Sequence, residues 1–253
     1  MRIPQAIFTS LRGDRISGYQ LAVKSEGIGE ELAHELNTWG PAHDSLLDEM
    51  TDEPSVNFHP LGPEHFCLSL TRSAGAEYSE RAGARIYTQM FVLPREGLAR
   101  FDNNPLLILR TLESAGRVEV HDEVPQNLRA LPLVGRAGEA DKHSLEKILR
   151  KLTPEALSNL ASTVLENPSV GLASSLPPRS LFSALLQLVP PEDRLKISFT
   201  TGLRHSPRRP FRLFLLPSDP IALRQFQRQS NVTVVELPPH SSSPKGSKLM
   251  KAK

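Results

Sequence analysis

Apolar and polar residues alternate with period two over "QAIFTSL" (residues 5–11) and again over "GYQLAVKS" (18–25), with the turn-type cluster Arg12-Gly13-Asp14-Arg15 between them. This spacing predicts a β-hairpin. The period then lengthens. Ile28, Leu32, Leu36 and Trp39 fall on one stripe of "GEELAHELNTWG", which predicts a helix ending at Gly40-Pro41, and "HDSLLDEM" extends it as a short second helix. "EHFCLSLTR" and "GARIYTQMFVLP" return to strand character around a glycine-containing turn near 74–83. Helix follows over residues 95–115, broken at Asn103-Asn104-Pro105, and "GRVEVHDEV" reads as a short alternating strand.

Beyond residues 129–141, rich in Pro, Gly and Ala and the candidate inter-domain linker, the pattern changes. "KHSLEKILRKL" is an amphipathic helix. "TPEALSNLASTVLEN" follows with Thr153 as N-cap and Pro154 at the first helical position, where a missing N–H costs nothing. "SVGLASS", "LKISFTTGL", "PFRLFLLP" and "NVTVVEL" are strands interleaved with the helices "PPRSLFSALLQLVP" and "PIALRQFQRQS". Strands alternating with helices predict βα units on a mainly parallel sheet, and the nearly continuous apolar runs suit strands covered on both faces. The expected architecture is an α+β N-terminal domain with antiparallel strands (1–135), then an α/β domain with a mainly parallel sheet (141–237). Residues 238–253, with four Lys and no acid, read as a disordered basic tail.

Charge is unevenly placed. The net charge of the 253-residue chain is +2, yet residues 1–193 carry 18 Lys/Arg against 26 Asp/Glu. Residues 194–228 carry 8 against 1, and 229–253 carry 4 against 1. An acidic front and a basic back suit an acidic partner, a nucleic acid, or docking between the two parts. The single cysteine, Cys67, offers no internal disulfide. With no apolar run of about 18 residues and no secretory signal pattern, a reducing cytoplasm is the expected setting and no membrane partner is expected.

Motif chemistry excludes more than it assigns. The opening loop has glycines but no G-x-x-x-x-G-K-[ST], and strand rather than helix follows it, so it reads as a turn. The pairs His43-Asp44 and His121-Asp122 lack further ligands at metal-binding spacing, and no metal or cofactor is expected. There is no G-x-S-x-G elbow, and Cys67, in an apolar alternating strand with His65 on the same face, reads as a core residue. The strongest local feature is "RLKISFTTGLRHSPRRPFRLFLLP" (194–217). A strand ending in Ser198, Thr200 and Thr201 opens at Gly202 into a loop with Arg204, His205, Arg208 and Arg209, and Arg212 beyond it. Ligands favour the carboxyl ends of strands in open α/β sheets, and arginine clusters grip phosphate or carboxylate. These five residues are the candidate binding site. The loop has no aromatic residue to stack on bases, which weakens a nucleic-acid reading.

The arrangement resembles the bacterial GTPase-associated adaptor proteins of biological conflict systems, through their N-terminal and middle domains. The residues carrying the resemblance are Gln5, Phe8, Gly18-Tyr19-Gln20 and Ser25-Glu26-Gly27; the block "RAGARIYTQMFVLPREGLARFDNNPLLIL" (81–109); and Ile197-Ser198-Phe199-Thr200-Thr201. Gln89 stands where the family pattern places a His. The resemblance implies a non-catalytic adaptor that binds other proteins, a GTPase among them, and supplies no catalytic residues. Two alternatives stand beside it: binding or hydrolysis of a phosphorylated ligand at the 204–209 loop, and nucleic-acid binding through residues 194–253.

Overall fold

The structure, a computed structural model, describes residues 1–11, 18–48, 53–76, 84–121, 123–138, 142–217, 219–228 and 231–237. The turn at 12–15, Asp122 and the basic tail lie outside the described residues.

Strand β1 (Arg2–Ile3) leads into the expected hairpin of β2 (Gln5–Leu11) and β3 (Gly18–Lys24), with Leu11 opposite Gly18. Helix α1 (Glu30–Trp39) buries Ala33 and Leu36 and stops at Gly40. A Cβ at that position would lie 2.2 Å from the Phe8 ring, so glycine is the residue that lets the helix end pass over β2. Strands β4 (Ser55–Leu61), β5 (His65–Ala76) and β6 (Ala84–Pro94) form an antiparallel meander. Helices α2 (Arg95–Ala99) and α3 (Pro105–Ser114) are separated where the Asn-Asn-Pro run predicts. Asp102 and Asn103 take left-handed backbone there, and Asn104 caps α3 by accepting from the Leu106 N–H at 3.0 Å.

The short strand β7 (Leu131–Pro132) pairs with β1, and the Ala137 N–H donates to the Arg100 carbonyl. The segment read as a linker is therefore held against the first half over residues 131–137. Helices α4 (Lys142–Leu149) and α5 (Pro154–Glu166) follow, the latter with the predicted Thr153 cap. After them come β8 (Val170–Ser174), α6 (Pro178–Leu188), α7 (Pro191–Arg194), β9 (Phe199–Thr200), β10 (Leu213–Leu215), α8 (Pro220–Gln227) and β11 (Thr233–Leu237).

The fold is mixed α+β with a mostly antiparallel sheet. Nine strands in the order β11-β8-β10-β9-β4-β5-β6-β2-β3 make one sheet, parallel from β11 to β9 and antiparallel from β9 onward. The pattern predicts antiparallel strands in the first part and a mainly parallel sheet in the second, with no sign of where the two meet. They meet where β9 pairs with β4, Asn57 opposite Thr200 and Phe58 opposite Phe199. The reason is packing: Phe58 and Phe199 are fully buried neighbours, and β9 covers what would otherwise be an open edge of β4.

On one face of the sheet, α3, α5 and α6 share a core with Phe58, Leu68 and Phe91. A bidentate contact of the Arg179 guanidinium with the Glu113 carboxylate ties α6 to α3. The other face is covered in patches. Helix α1 lies over Ala6, Leu61, Cys67 and Val92, and α8 over Phe214 and Leu216. Between them, two non-helical segments bring Leu46 and Leu203 onto Ile86.

Two local expectations are corrected. Residues 116–121 are not a strand: Val118 packs onto the core while the backbone beside it serves Gln89. Residues 43–48 are not helical, because Asp44 has φ +59°, outside the right-handed helical region, and Leu46 bridges to Leu203 instead.

Candidate functional site

Along β4 the polar residues Ser55, Asn57 and His59 alternate with Val56, Phe58 and Pro60, and all three polar residues are buried. Asn57 is the hub of a side-chain network. Its Oδ1 accepts from Thr200 Oγ1 at 2.6 Å and Ser55 Oγ at 2.9 Å, and its Nδ2 donates to Ser69 Oγ at 3.2 Å and Thr71 Oγ1 at 3.1 Å. The Thr71 and Thr88 hydroxyls lie 3.0 Å apart. Thr200 Oγ1 accepts from the Leu203 N–H at 2.9 Å, and Thr201 Oγ1 from the Val56 N–H at 2.8 Å. Satisfied polar groups in a dry setting hold one geometry firmly, so this layer fixes where the 201–212 loop leaves the sheet.

The loop runs back over the sheet against residues 45–47. The Leu47 N–H donates to the Gly202 carbonyl at 2.8 Å, and the Arg204 N–H donates to that of Ser45 at 2.7 Å. Arg204 Nε donates to the Leu46 carbonyl at 2.8 Å, while Arg209 donates to Ser45 Oγ at 2.6 Å and to the Arg204 carbonyl at 3.2 Å. Burial pulls the Arg209 pKa below its ordinary value. Arg204 and Arg209 thus meet on one short segment, gripping backbone and a hydroxyl.

The other three candidates point elsewhere. The His205 ring stacks on Phe214 with centroids 4.0 Å apart and meets Phe226 edge-on. Its Nε2 is buried with no partner among the described residues, and burial lowers its pKa, so the ring is neutral near pH 7. Arg212 Nη1 donates to the Val164 and Leu165 carbonyls, both at 3.3 Å, at the C-terminal end of α5, where a cation is favoured. Arg208 is exposed. The five candidates do not converge on one anion-sized position.

His59 faces the same loop, its ring edge-on to Phe211. Nδ1 donates to the Pro60 carbonyl at 2.7 Å, and burial pulls the pKa down to about 4 against this bond and the Glu35 charge. Between that value and the ordinary 6.5, the unfolded chain holds a proton that the folded chain refuses. Stability therefore falls as pH drops below 6.5, by about 1 kcal/mol at roughly pH 5.5. Urea unfolding of the wild type and His59→Gln across this range checks it: the variant's loss should be shallower.

Cys67 is fully buried, and burial pushes its thiol up to about 12, which suits a core residue and not a nucleophile. His43 Nε2 lies 3.4 Å from the neighbouring Asp44 carboxylate, and His121 lies 3.8 Å from Glu119. Among the described residues no three His, Cys, Asp or Glu side chains come together as a metal site, and no helix is long and apolar enough to cross a membrane.

The N-terminal signature residues also close on one another. The Gln5 N–H donates to Ser25 Oγ and the Ser25 N–H to the Gln5 carbonyl, both at 2.9 Å. Gln5 Oε1 accepts from Gln89 Nε2 at 2.9 Å, and Gln5 Nε2 donates to the Arg129 carbonyl at 2.8 Å. Gln89 spends its remaining capacity on the Arg117 carbonyl and the Glu119 N–H. Gly27, at φ +93°, passes so close to Pro4 that a Cβ would lie 3.0 Å from its ring. Phe8 stacks on Tyr19, whose hydroxyl accepts from the Ile86 N–H at 3.0 Å. These contacts build the first half of the sheet, and the family GTPase-associated protein 1, N-terminal domain type 2, matches residues 2–131. The chain belongs to this family. The matched stretch of the GTPase-associated protein 1 N-terminal domain takes in β1 to β6, α1 to α3 and the start of β7. The arginine loop lies outside it but is fastened to Ser45 and Leu46 within it. No curated protein matches the chain.

Sequence reasoning missed the 45–47 segment and the Asn57 network. The alternation in "SVNFHPL" was the available signal for β4, broken by Pro60. That proline sits opposite Phe66 of β5 and beyond the two-residue pairing of β4 with β9.

Proposed function

We propose that the chain is a non-catalytic adaptor that binds a GTPase in the cytoplasm of a bacterium, as part of a conflict system. The observation that carries this reading is membership of the GTPase-associated protein 1 N-terminal domain family over residues 2–131. The geometry of the arginine loop is consistent with it. Arg204 and Arg209 are engaged with backbone and hydroxyl groups of residues 45 and 46 and of the loop itself, and Arg208 is exposed on the same loop. Cations carried on a surface loop in this way suit an acidic protein surface better than a buried phosphate. This loop is the proposed contact. Affinity purification of the full chain from its native host, with mass spectrometry of what co-elutes, tests the reading. A stoichiometric GTPase is expected, and Arg208→Glu, an exposed change, should reduce its recovery. Elution of the chain alone overturns the adaptor reading.

A further inference from the structure

A cavity of about 440 Å³ opens at the carboxyl ends of the parallel strands, within the usual size range of binding sites. Ser174 at the end of β8, Leu215 at the end of β10 and Thr201 just after β9 all line it. Leu46, Leu215, Leu216 and Pro178 supply aliphatic walls, and the described lining residues include no aromatic ring for a base to stack on. The hydroxyls of the lining are already engaged. Ser174 Oγ accepts from the Leu176 N–H at 3.1 Å, Thr201 Oγ1 accepts from the Val56 N–H, and Ser55 Oγ donates to Asn57 Oδ1. Asp48 and Glu53 at the rim each interact within the chain, so what remains for an occupant is aliphatic surface. Such a socket gains from an alkyl group and offers little to a polar metabolite.

The arginine loop adjoins this cavity. Thr201 and Gly202, where the loop leaves the sheet, and Leu46 and Leu47, on which it lies, are lining residues. Arg204 donates through Nε to the Leu46 carbonyl at 2.8 Å, which sets its guanidinium beside the cavity wall with Nη1 and Nη2 unengaged among the described residues. Arg208 is exposed on the same loop. Residues 203–212 carry four Arg and no Asp or Glu. Cations beside an aliphatic socket are complementary to a chain segment in which one aliphatic residue is flanked by acidic ones. The two parts are held in place before anything binds: the Leu47 N–H donates to the Gly202 carbonyl at 2.8 Å, and Thr201 is bonded to β4. Little ordering is then left to oppose docking.

We propose that the cavity and the arginine loop together dock a short acidic segment of a partner protein, with one aliphatic side chain seated in the cavity and flanking carboxylates on Arg204 and Arg208. This rests on the reading of the arginine loop as a protein contact and adds the chemistry of what the loop meets. Isothermal titration of the full chain with the acetylated, amidated peptides DELED, DEGED and KKLKK tests it. DELED should bind with sub-millimolar affinity, DEGED roughly tenfold more weakly for want of the leucine, and KKLKK should give no heat. Arg208→Ala should weaken DELED roughly threefold, one exposed ion pair being lost. Ser174→Leu, which fills the cavity from the end of β8, should abolish the preference for DELED over DEGED. The peptide comparison on the wild-type chain stands whatever that variant does to folding. Equal binding of DELED and DEGED, binding of KKLKK, or no heat with DELED overturns the proposal. Tighter binding of octanoate than of DELED also overturns it and assigns the cavity to a free carboxylic acid. The titration uses no host protein, so its failure is separate from that of the adaptor reading, which co-elution of a GTPase decides.

Discussion

Phe58→Ala is expected to cost about 3–5 kcal/mol of stability and to lower the melting temperature by about 10 °C. Phe58 is fully buried, stacks on Phe66 with ring centroids 5.3 Å apart, and lies 5.9 Å from Phe199. Phe199 in turn meets Phe182 edge-on at 5.4 Å. The rings form a line from β5 through β4 and β9 to α6, so the cavity left by alanine opens where the antiparallel and parallel strands join. Differential scanning calorimetry reads the result. One transition should move as a whole. Two transitions, only one of them displaced, would show that the halves unfold independently despite the shared sheet.

The second large effect is expected at Asn57→Ala, at about 3 kcal/mol. Removing the amide strips partners from Ser55, Ser69, Thr71 and Thr200 at once, in a layer closed to water. Buried polar groups left unpaired cost about 1–3 kcal/mol each, and rotating hydroxyls recover part of it. The measurement is a double-mutant cycle with Thr200→Val by urea unfolding. Because the two side chains share a 2.6 Å hydrogen bond, their losses should fall short of additivity by at least about 1 kcal/mol. Additive losses would mean that the network is not cooperative.

Local pattern carried the elements whose stability is local. The β2–β3 hairpin, the Thr153-Pro154 start of α5 and the Asn104-Pro105 start of α3 follow from alternation and capping chemistry, which act over a few residues. What decided the remainder acts over long separations. The stretch 116–121 alternates like a strand, but the Arg117 carbonyl and the Glu119 N–H are engaged by Gln89, about thirty residues earlier, through its side-chain amide. Joining of the sheets depends on Asn57 meeting Thr200, 143 positions apart, which no periodicity encodes. The candidate site was legible as a cluster of cations and not as a geometry. Arg204 and Arg209 find Ser45 and Leu46 from more than 150 residues away, while His205 and Arg212 turn toward α8 and α5. Which arginine faces solvent depends on those distant partners.

The two-residue seam between β4 and β9 has a practical side for anyone who would cut the chain where the family match ends. A fragment stopping at residue 131 keeps every strand from β1 to β6 but loses β9, the strand that covers β4 on that flank among the described residues. Its Asn57 and Phe58 would then stand at a bare, hydrogen-bond-hungry border, the kind that recruits a neighbour of its own sort and drives clumping. The family-matched stretch is a panel of a larger sheet, and handling it alone means supplying a substitute strand for the missing side.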